Sequence, residues 1–178
     1  MIDTMSISRR EWMLAAACWP EVLRAQNSGK FAFFDRAAAA EIEAISAQIL
    51  PDEDTPGARQ TGVIWFIDGA LAGYDRDKQG LYLKGLAAAQ AKREELFPSS
   101  KDIASLSSTQ QIALLKSIEK TEFFEQVRTH TVLGFLGHPK YGGNREMAGW
   151  KTIGFEHKMQ YQPPFGYYDA EAANRGRK

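Results

Sequence analysis

Apolar residues recur with a helical period along most of the chain after residue 35. The first such segment places four apolar residues on one helical face: Ala38, Ile42, Ile45 and Ile49. Asp35 precedes the segment as a candidate N-cap, and Pro51 follows it as a helix breaker. The pattern therefore predicts a helix over Arg36–Ile49.

Four further segments show the same period, over about residues 59–74, 79–97, 108–118 and 121–133. The side chains expected to face inward are, in chain order, Val63, Phe66, Ile67, Ala70, Leu71, Tyr82, Leu83, Leu86, Ala89, Ile112, Leu115, Ile118, Phe123, Phe124, Val127 and Thr131. Ser108 and Gln111 have the spacing of a capping box, and we expect Gly134 and Gly137 to mark the end of regular structure. No segment alternates like a strand, so we predict an all-α fold, a compact bundle of about five helices.

The chain from His138 onward has a different composition. Residues 138–178 contain six glycines and three prolines. Aromatic residues are spread among them: Trp150, Phe155, Tyr161, Phe165, Tyr167 and Tyr168. We predict an irregular C-terminal segment rich in Gly, Pro and aromatic residues. Its rings need burial, either against the bundle or against another chain.

Charge and cysteine content exclude several classes of function. The 178 residues carry 22 basic and 22 acidic side chains, so no basic surplus exists to bind nucleic acid. The one cysteine, Cys18, rules out an internal disulfide and any Cys-rich metal site. No apolar run is long enough to predict a transmembrane helix.

The first 25 residues have the pattern of an export signal. Arg9 and Arg10 stand directly before a short apolar stretch, Trp12–Trp19, and resemble a twin-arginine motif. Cleavage is expected after Ala25. Such a signal would direct a protein to the periplasm already folded, often together with a partner.

Two other interpretations of the same residues stay open. The segment could be an ordinary amphipathic first helix with Arg9 and Arg10 exposed. Alternatively, Ala15-Ala16-Ala17-Cys18 resembles a lipobox, which would make Cys18 a lipidated first residue.

Three stretches in order resemble the gluconate 2-dehydrogenase subunit 3 family, over about residues 32–156. The first runs from Phe33-Phe34 through Pro51, Pro56-Gly57-Ala58 and Gly62-Val63 to Phe66-Ile67-Asp68. The second contains Phe123-Phe124, Val127-Arg128, His130-Thr131 and Gly134-Phe135. The third is Pro139-x-Tyr141-Gly142-Gly143-Asn144, followed by Gly149-Trp150 and Ile153-Gly154-Phe155. We therefore divide the chain into a signal (1–25), a helical domain (26–156) and a tail (157–178).

The resemblance implies a non-catalytic accessory subunit, the gamma subunit of a three-component dehydrogenase. A large flavoprotein subunit of the glucose–methanol–choline type would carry FAD, and a multihaem subunit would carry haem c. This chain would hold no cofactor, and would aid folding, export or stability of the flavoprotein. The complex would be periplasmic and peripheral to the inner membrane.

Candidate catalytic residues are few. His130 shares a helical face with Phe123, where a histidine is usually a satisfied core residue, and Arg128 could pair with a carboxylate or reach a partner. The acidic run Asp52–Asp54 lacks the spacing of a calcium loop and reads as a solvated turn. Patterns typical of zinc proteases, serine hydrolases and dinucleotide binding are absent.

The glycine-rich loop after the fifth helix has two interpretations. It could present Tyr141 and Trp150 to a partner, or it could be an internal turn that packs on the bundle. The candidate partner interface comprises Arg128, His130, Pro139, Tyr141, Gly142, Gly143, Asn144 and Trp150. An alternative function is an independent periplasmic enzyme or ligand-binding domain that uses the His130/Arg128 and Tyr141–Trp150 region.

Overall fold

The computed structural model describes residues 29–158, 160 and 165–175 of the chain. Its α-helices are α1 (Arg36–Ile49), α2 (Val63–Ala72), α3 (Gln79–Leu96), α4 (Ser108–Ile118), α5 (Glu122–Leu136), α6 (Ala148–Thr152) and α7 (Tyr167–Arg175). Single 3-10 turns occur at Arg76–Lys78, Pro139–Tyr141 and Arg145–Met147. The part of the chain described contains no strand, and the predicted all-α fold is confirmed. The predicted signal, with Arg9, Arg10 and Cys18, lies outside the described residues.

Side-chain caps fix the starts of α1, α4 and α5. Asp35 accepts a hydrogen bond from the Ala38 backbone N–H at 2.7 Å, which confirms the predicted N-cap of α1. The capping box of α4 is formed by Ser107 and Gln110, one residue earlier than the predicted pair Ser108 and Gln111. Ser107 has the extended backbone that a cap requires, whereas Ser108 is already helical.

Two predicted helix boundaries are wrong. The second helix begins at Val63 instead of residue 59, because Gly62 has a left-handed φ of 71° that a helix cannot include. The fifth helix continues through Gly134 to Leu136. A Cβ at Gly134 would lie 3.0 Å from the Phe66 side chain, so this glycine allows α2 to approach α5 closely.

The core lies where α1, α2 and α5 pack on one another, with α3 and α4 closing its sides. Its most buried apolar members include Ile42, Ile45, Val63, Ile67, Leu71, Tyr82, Leu114 and Val127. Two residues predicted to face inward, Leu83 and Ile112, are instead 58% and 43% exposed. Each follows a buried residue directly in its helix, about 100° further around the axis, because the buried faces of α3 and α4 are narrower than predicted.

The predicted irregular C-terminal segment contains more helix than its composition suggests. After α5 the chain forms two 3-10 turns and the short helix α6, and α7 follows nearer the C-terminus. Among the helices described, none is both long and apolar enough to cross a membrane.

Candidate functional site

Asn144 organises the loop that follows α5. Its side chain donates to the Gly137 carbonyl at 2.8 Å and accepts from the Gly149 N–H at 2.9 Å. The residue is fully buried and has a left-handed φ of 48°, which asparagine adopts more readily than most residues. One amide thus ties the start of the loop to the start of α6. We call residues 137–155 the cap segment.

Glycines let the cap segment approach the end of α5. A Cβ at Gly143 would lie 2.1 Å from the Gly134 carbonyl oxygen, and one at Gly149 would lie 2.0 Å from that of Phe135. Gly142 has a φ of 111°, which other residues rarely adopt. The backbone of the cap segment therefore lies directly against the backbone of α5 at Gly143 and Gly149.

Trp150 also joins the cap segment to the end of α5. Its indole N–H donates to the Leu136 carbonyl at 2.6 Å, which satisfies one of the last carbonyls of α5. The Trp150 ring packs against His138, Phe155 and His157, at centroid distances of 5.6, 5.1 and 5.2 Å. Trp150 is itself buried, so its ring packs within the cap segment and not in solvent.

Pro139 and Tyr141 occupy the 3-10 turn at the edge of the cap segment. His138 caps this turn by accepting from the Lys140 N–H at 3.2 Å. Tyr141 is half-buried and lies edge-on to the His138 ring. The structure thus brings Pro139, Tyr141 and Trp150 together at one end of α5, along with the glycines and Asn144.

His130 lies in the core, apart from the cap segment. Its Nδ1 is 2.9 Å from the Tyr82 hydroxyl, and its Nε2 is 3.0 Å from Asp75 Oδ2. The Gln126 side-chain amide lies 2.9 Å from the same Nε2. In the neutral tautomer with Nε2–H, Tyr82 donates to Nδ1 and Nε2–H donates to Asp75, and this assignment requires Gln126 to face the ring with its amide oxygen. Lys78 completes the network, with Nζ 2.7 Å from Asp75 Oδ1.

The electrostatics of this network favour a structural role. Burial lowers the pKa of His130, and the hydrogen bond to Asp75 opposes that shift only in part. Burial raises the pKa of Tyr82, so it favours the neutral form of this side chain as well. Since the His130 imidazole is only 1% exposed, a substrate could not reach it without opening the core. The arrangement is a satisfied buried polar network.

Arg128 and the acidic turn also have local partners. Arg128 is exposed on α5 and forms an ion pair with Glu125, with Nη2 2.6 Å from Oε1. It lies two residues before His130, so the two side chains point to different faces of the helix. Asp52 accepts from the Gly57 N–H at 2.6 Å and orders its own turn. The described residues include no group of three potential metal ligands.

Two buried carboxylates, to which the sequence analysis assigned no role, tie distant segments to the bundle. Asp68 accepts three backbone N–H groups, from Ala32, Phe33 and Phe34, at 2.7 to 3.0 Å. Glu41 accepts from the Gln90 amide at 2.6 Å and from a backbone N–H at 3.2 Å. A charged residue inside an apolar helix, such as Asp68, was the signal available in the sequence.

A shallow groove of about 290 Å³ runs between α1 and α4. Its lining is mostly apolar, with residues such as Ile49, Leu115 and Phe124, and also includes the charged residues Lys116 and Glu119. The groove contains no histidine, so it joins none of the candidate catalytic residues.

The helical domain is similar in sequence to a known protein family. Residues 36–156 match the sequence model of the family described as gluconate 2-dehydrogenase subunit 3. The matched range covers α1 to α6 and includes the whole cap segment. A search of curated proteins and a search of solved structures each returned no match.

Proposed function

We propose, from the premise that this chain belongs to the gluconate 2-dehydrogenase subunit 3 family, that it is a non-catalytic subunit that escorts and stabilises a flavoprotein dehydrogenase. The family match carries the proposal, because it spans most of the helical domain. The match supports the role of an accessory subunit in a dehydrogenase complex.

The buried location of His130 adds support. Two members of the alternative pocket, which would also use the Tyr141–Trp150 region, lie on different faces of α5: His130 is buried, and Arg128 is exposed and paired. The cap segment is held on α5 by its own hydrogen bonds, which occupy the Asn144 amide and the Trp150 indole N–H. An independent enzyme built on these residues would need a different arrangement.

The finer parts of the proposal concern partners and location. The large subunit would bind FAD and oxidise a sugar or sugar acid, and a cytochrome subunit would carry electrons onward through haem c. The twin-arginine pattern at Arg9 and Arg10 supports export of the folded flavoprotein together with this chain, to the periplasmic side of the inner membrane. The pair would therefore cross the membrane as one assembly.

Deletion of this chain in its native host tests the escort role. We expect periplasmic dehydrogenase activity and flavoprotein to fall at least about tenfold, and to return when the wild-type chain is supplied. A variant with Arg9 and Arg10 replaced by Lys should fail to restore periplasmic activity, although it folds. Full activity in the periplasm without this chain would contradict the proposal.

A further inference from the structure

Two neighbouring side chains of α2 hold the segment that precedes α1, residues 29–34, which we call the N-terminal strap. Asp68 accepts three backbone N–H groups of the strap. The Trp65 ring stacks on the Phe31 ring, with centroids 4.3 Å apart and planes inclined by 22°. Because Trp65 and Asp68 are three residues apart in α2, they lie on one face of that helix and bind the strap together.

Trp65 also contacts a residue of the cap segment. The guanidinium carbon of Arg145 lies 5.8 Å from the centroid of the Trp65 ring, within the range of a cation–π contact. The Arg145 backbone N–H donates to the Thr61 carbonyl at 3.0 Å, in the turn before α2. A Cβ at Gly62 would lie 2.6 Å from Arg145 Nε, so this glycine leaves room for the arginine side chain. One indole ring thus contacts both the strap and the cap segment.

The backbone around Arg145 is strained. Asn144 and Glu146, on either side of it, have left-handed φ angles of 48° and 56°. Such conformations cost free energy in residues other than glycine, and they persist only where the surrounding structure holds them. The buried hydrogen bonds of Asn144 supply such contacts on one side of Arg145. The position of Arg145 over the ring therefore depends on the folded form of the cap segment.

We propose that Trp65 couples the N-terminal strap to the cap segment, so that the strap is held firmly on α2 only when the cap segment is folded on α5. Folding of the cap segment places the Arg145 cation on the ring and fixes the orientation of the indole. The Phe31 ring stacks on the indole in that orientation, and stacking brings the N–H groups of the strap to Asp68. The two segments lie at opposite ends of the helical domain in the sequence, and Trp65 is the contact that links them.

The coupling makes the state of the strap depend on the folding of the whole helical domain. The strap follows closely after the predicted signal, whereas the cap segment lies at the end of the domain that is synthesised last. A chain whose cap segment has not folded would expose the strap to peptidases near the point where the signal joins the domain. This use during export rests on the proposed function, but the coupling itself does not.

Hydrogen exchange in the full chain tests the coupling. The probes are the three strap N–H groups that Asp68 accepts, from Ala32, Phe33 and Phe34. Arg145→Ala removes the cation from the ring without altering the strap, so these amides should exchange about two- to fivefold faster than in the wild type. Arg145→Lys keeps a cation without the planar guanidinium, and its rate should lie between the two.

The coupling must also act in the opposite direction. Phe31→Ala removes the stacked ring, so the Arg145 N–H that donates to Thr61 should exchange about two- to fivefold faster. When Arg145→Ala is added to Phe31→Ala, the strap amides should exchange at the rate of Phe31→Ala alone, because Arg145 acts on the strap through the stacked rings. All rates are corrected for the intrinsic exchange of each sequence.

Lys151→Ala is the matched control, because Lys151 is an exposed cation of the cap segment and the cation–ring contacts of the described residues do not include it. It should leave exchange of the strap at the wild-type rate. Wild-type exchange of the strap in Arg145→Ala, or an equal rise in Lys151→Ala, would overturn the coupling. A rise of the same size in the core amides of α1 and α5 would also overturn it, since that pattern is a loss of global stability. Either failure would leave the proposed function standing, because deletion of the chain tests that function separately.

Discussion

Replacing Asn144 tests whether one buried amide holds the cap segment on α5. Asn144→Ala removes the hydrogen bonds to the Gly137 carbonyl and from the Gly149 N–H, and leaves both groups buried. Two such bonds contribute about 1–3 kcal/mol together. Alanine at the left-handed φ of 48° adds roughly 1–2 kcal/mol of strain. We therefore expect a loss of about 3–4 kcal/mol in the free energy of unfolding.

Two further substitutions separate these contributions. Asn144→Gly accepts the left-handed backbone but loses both hydrogen bonds, so it should cost about 2 kcal/mol. Asn144→Asp keeps an acceptor for the Gly149 N–H but buries an unpaired carboxylate against the Gly137 carbonyl, which should cost about 3–5 kcal/mol. Glycine should thus be the most stable of the three.

Urea unfolding followed by circular dichroism measures the series, with the dependence on urea concentration compared among variants. Glu146→Gly is the control, because Glu146 is exposed and also has a left-handed φ, of 56°. It should be unchanged or more stable by up to about 1 kcal/mol. A loss below about 1 kcal/mol for Asn144→Ala would refute the role given to this amide.

Three other substitutions test the packing, the buried histidine and the N-terminal segment. Gly85→Ala should lose about 2 kcal/mol in unfolding experiments, because its Cβ would lie 2.2 Å from the Phe123 ring; Gly80→Ala, in open space on the same helix, should be neutral or stabilising, and equal effects would contradict the close contact. Because burial lowers the pKa of His130, the unfolded chain takes up this proton more readily than the folded chain below pH 6.5; stability should fall as pH drops through that range, and less steeply in His130→Gln, so parallel profiles would argue against a buried neutral imidazole. Asp68→Asn replaces a carboxylate that accepts three backbone N–H groups, so protease cleavage before residue 35 should become faster, and unchanged cleavage would count against that anchor.

Local signals in the sequence predicted much of the helical framework. Asp35 before an alanine-rich segment, and Pro51 after it, were sufficient to place α1. The start of α4 was ambiguous because two serines each have a glutamine three residues later. Backbone geometry selects Ser107 over Ser108, and a spacing rule cannot distinguish them.

Errors arose where tertiary contacts overrule local preference. Gly134 resembles a helix stop in sequence, but it lies inside α5 because Phe66 packs against its bare Cα. Leu83 belongs to the predicted apolar stripe of α3, but the buried face of that helix covers only Tyr82, Leu86, Ala89 and Arg93. Such choices depend on which neighbour is present, which periodicity does not reveal.

The residues of the candidate site could be predicted from the sequence, but the contacts between them could not. The pattern from Pro139 to Trp150 was visible in the sequence, and it forms one unit on the end of α5. Two partners of His130, Tyr82 and Asp75, are 48 and 55 residues away, and only the fold brings them to it. The sequence alone left open whether this histidine was structural or functional.

Affinity purification of the tagged chain from cells with active membrane dehydrogenase tests the central claim most directly. The eluate would be examined by gel electrophoresis and by absorbance spectroscopy. Our account predicts a larger polypeptide in fixed proportion to this chain, with the absorbance of bound flavin. A colourless chain that elutes alone, after crosslinking before lysis and from cells whose dehydrogenase stays active, would contradict the assignment to a dehydrogenase complex.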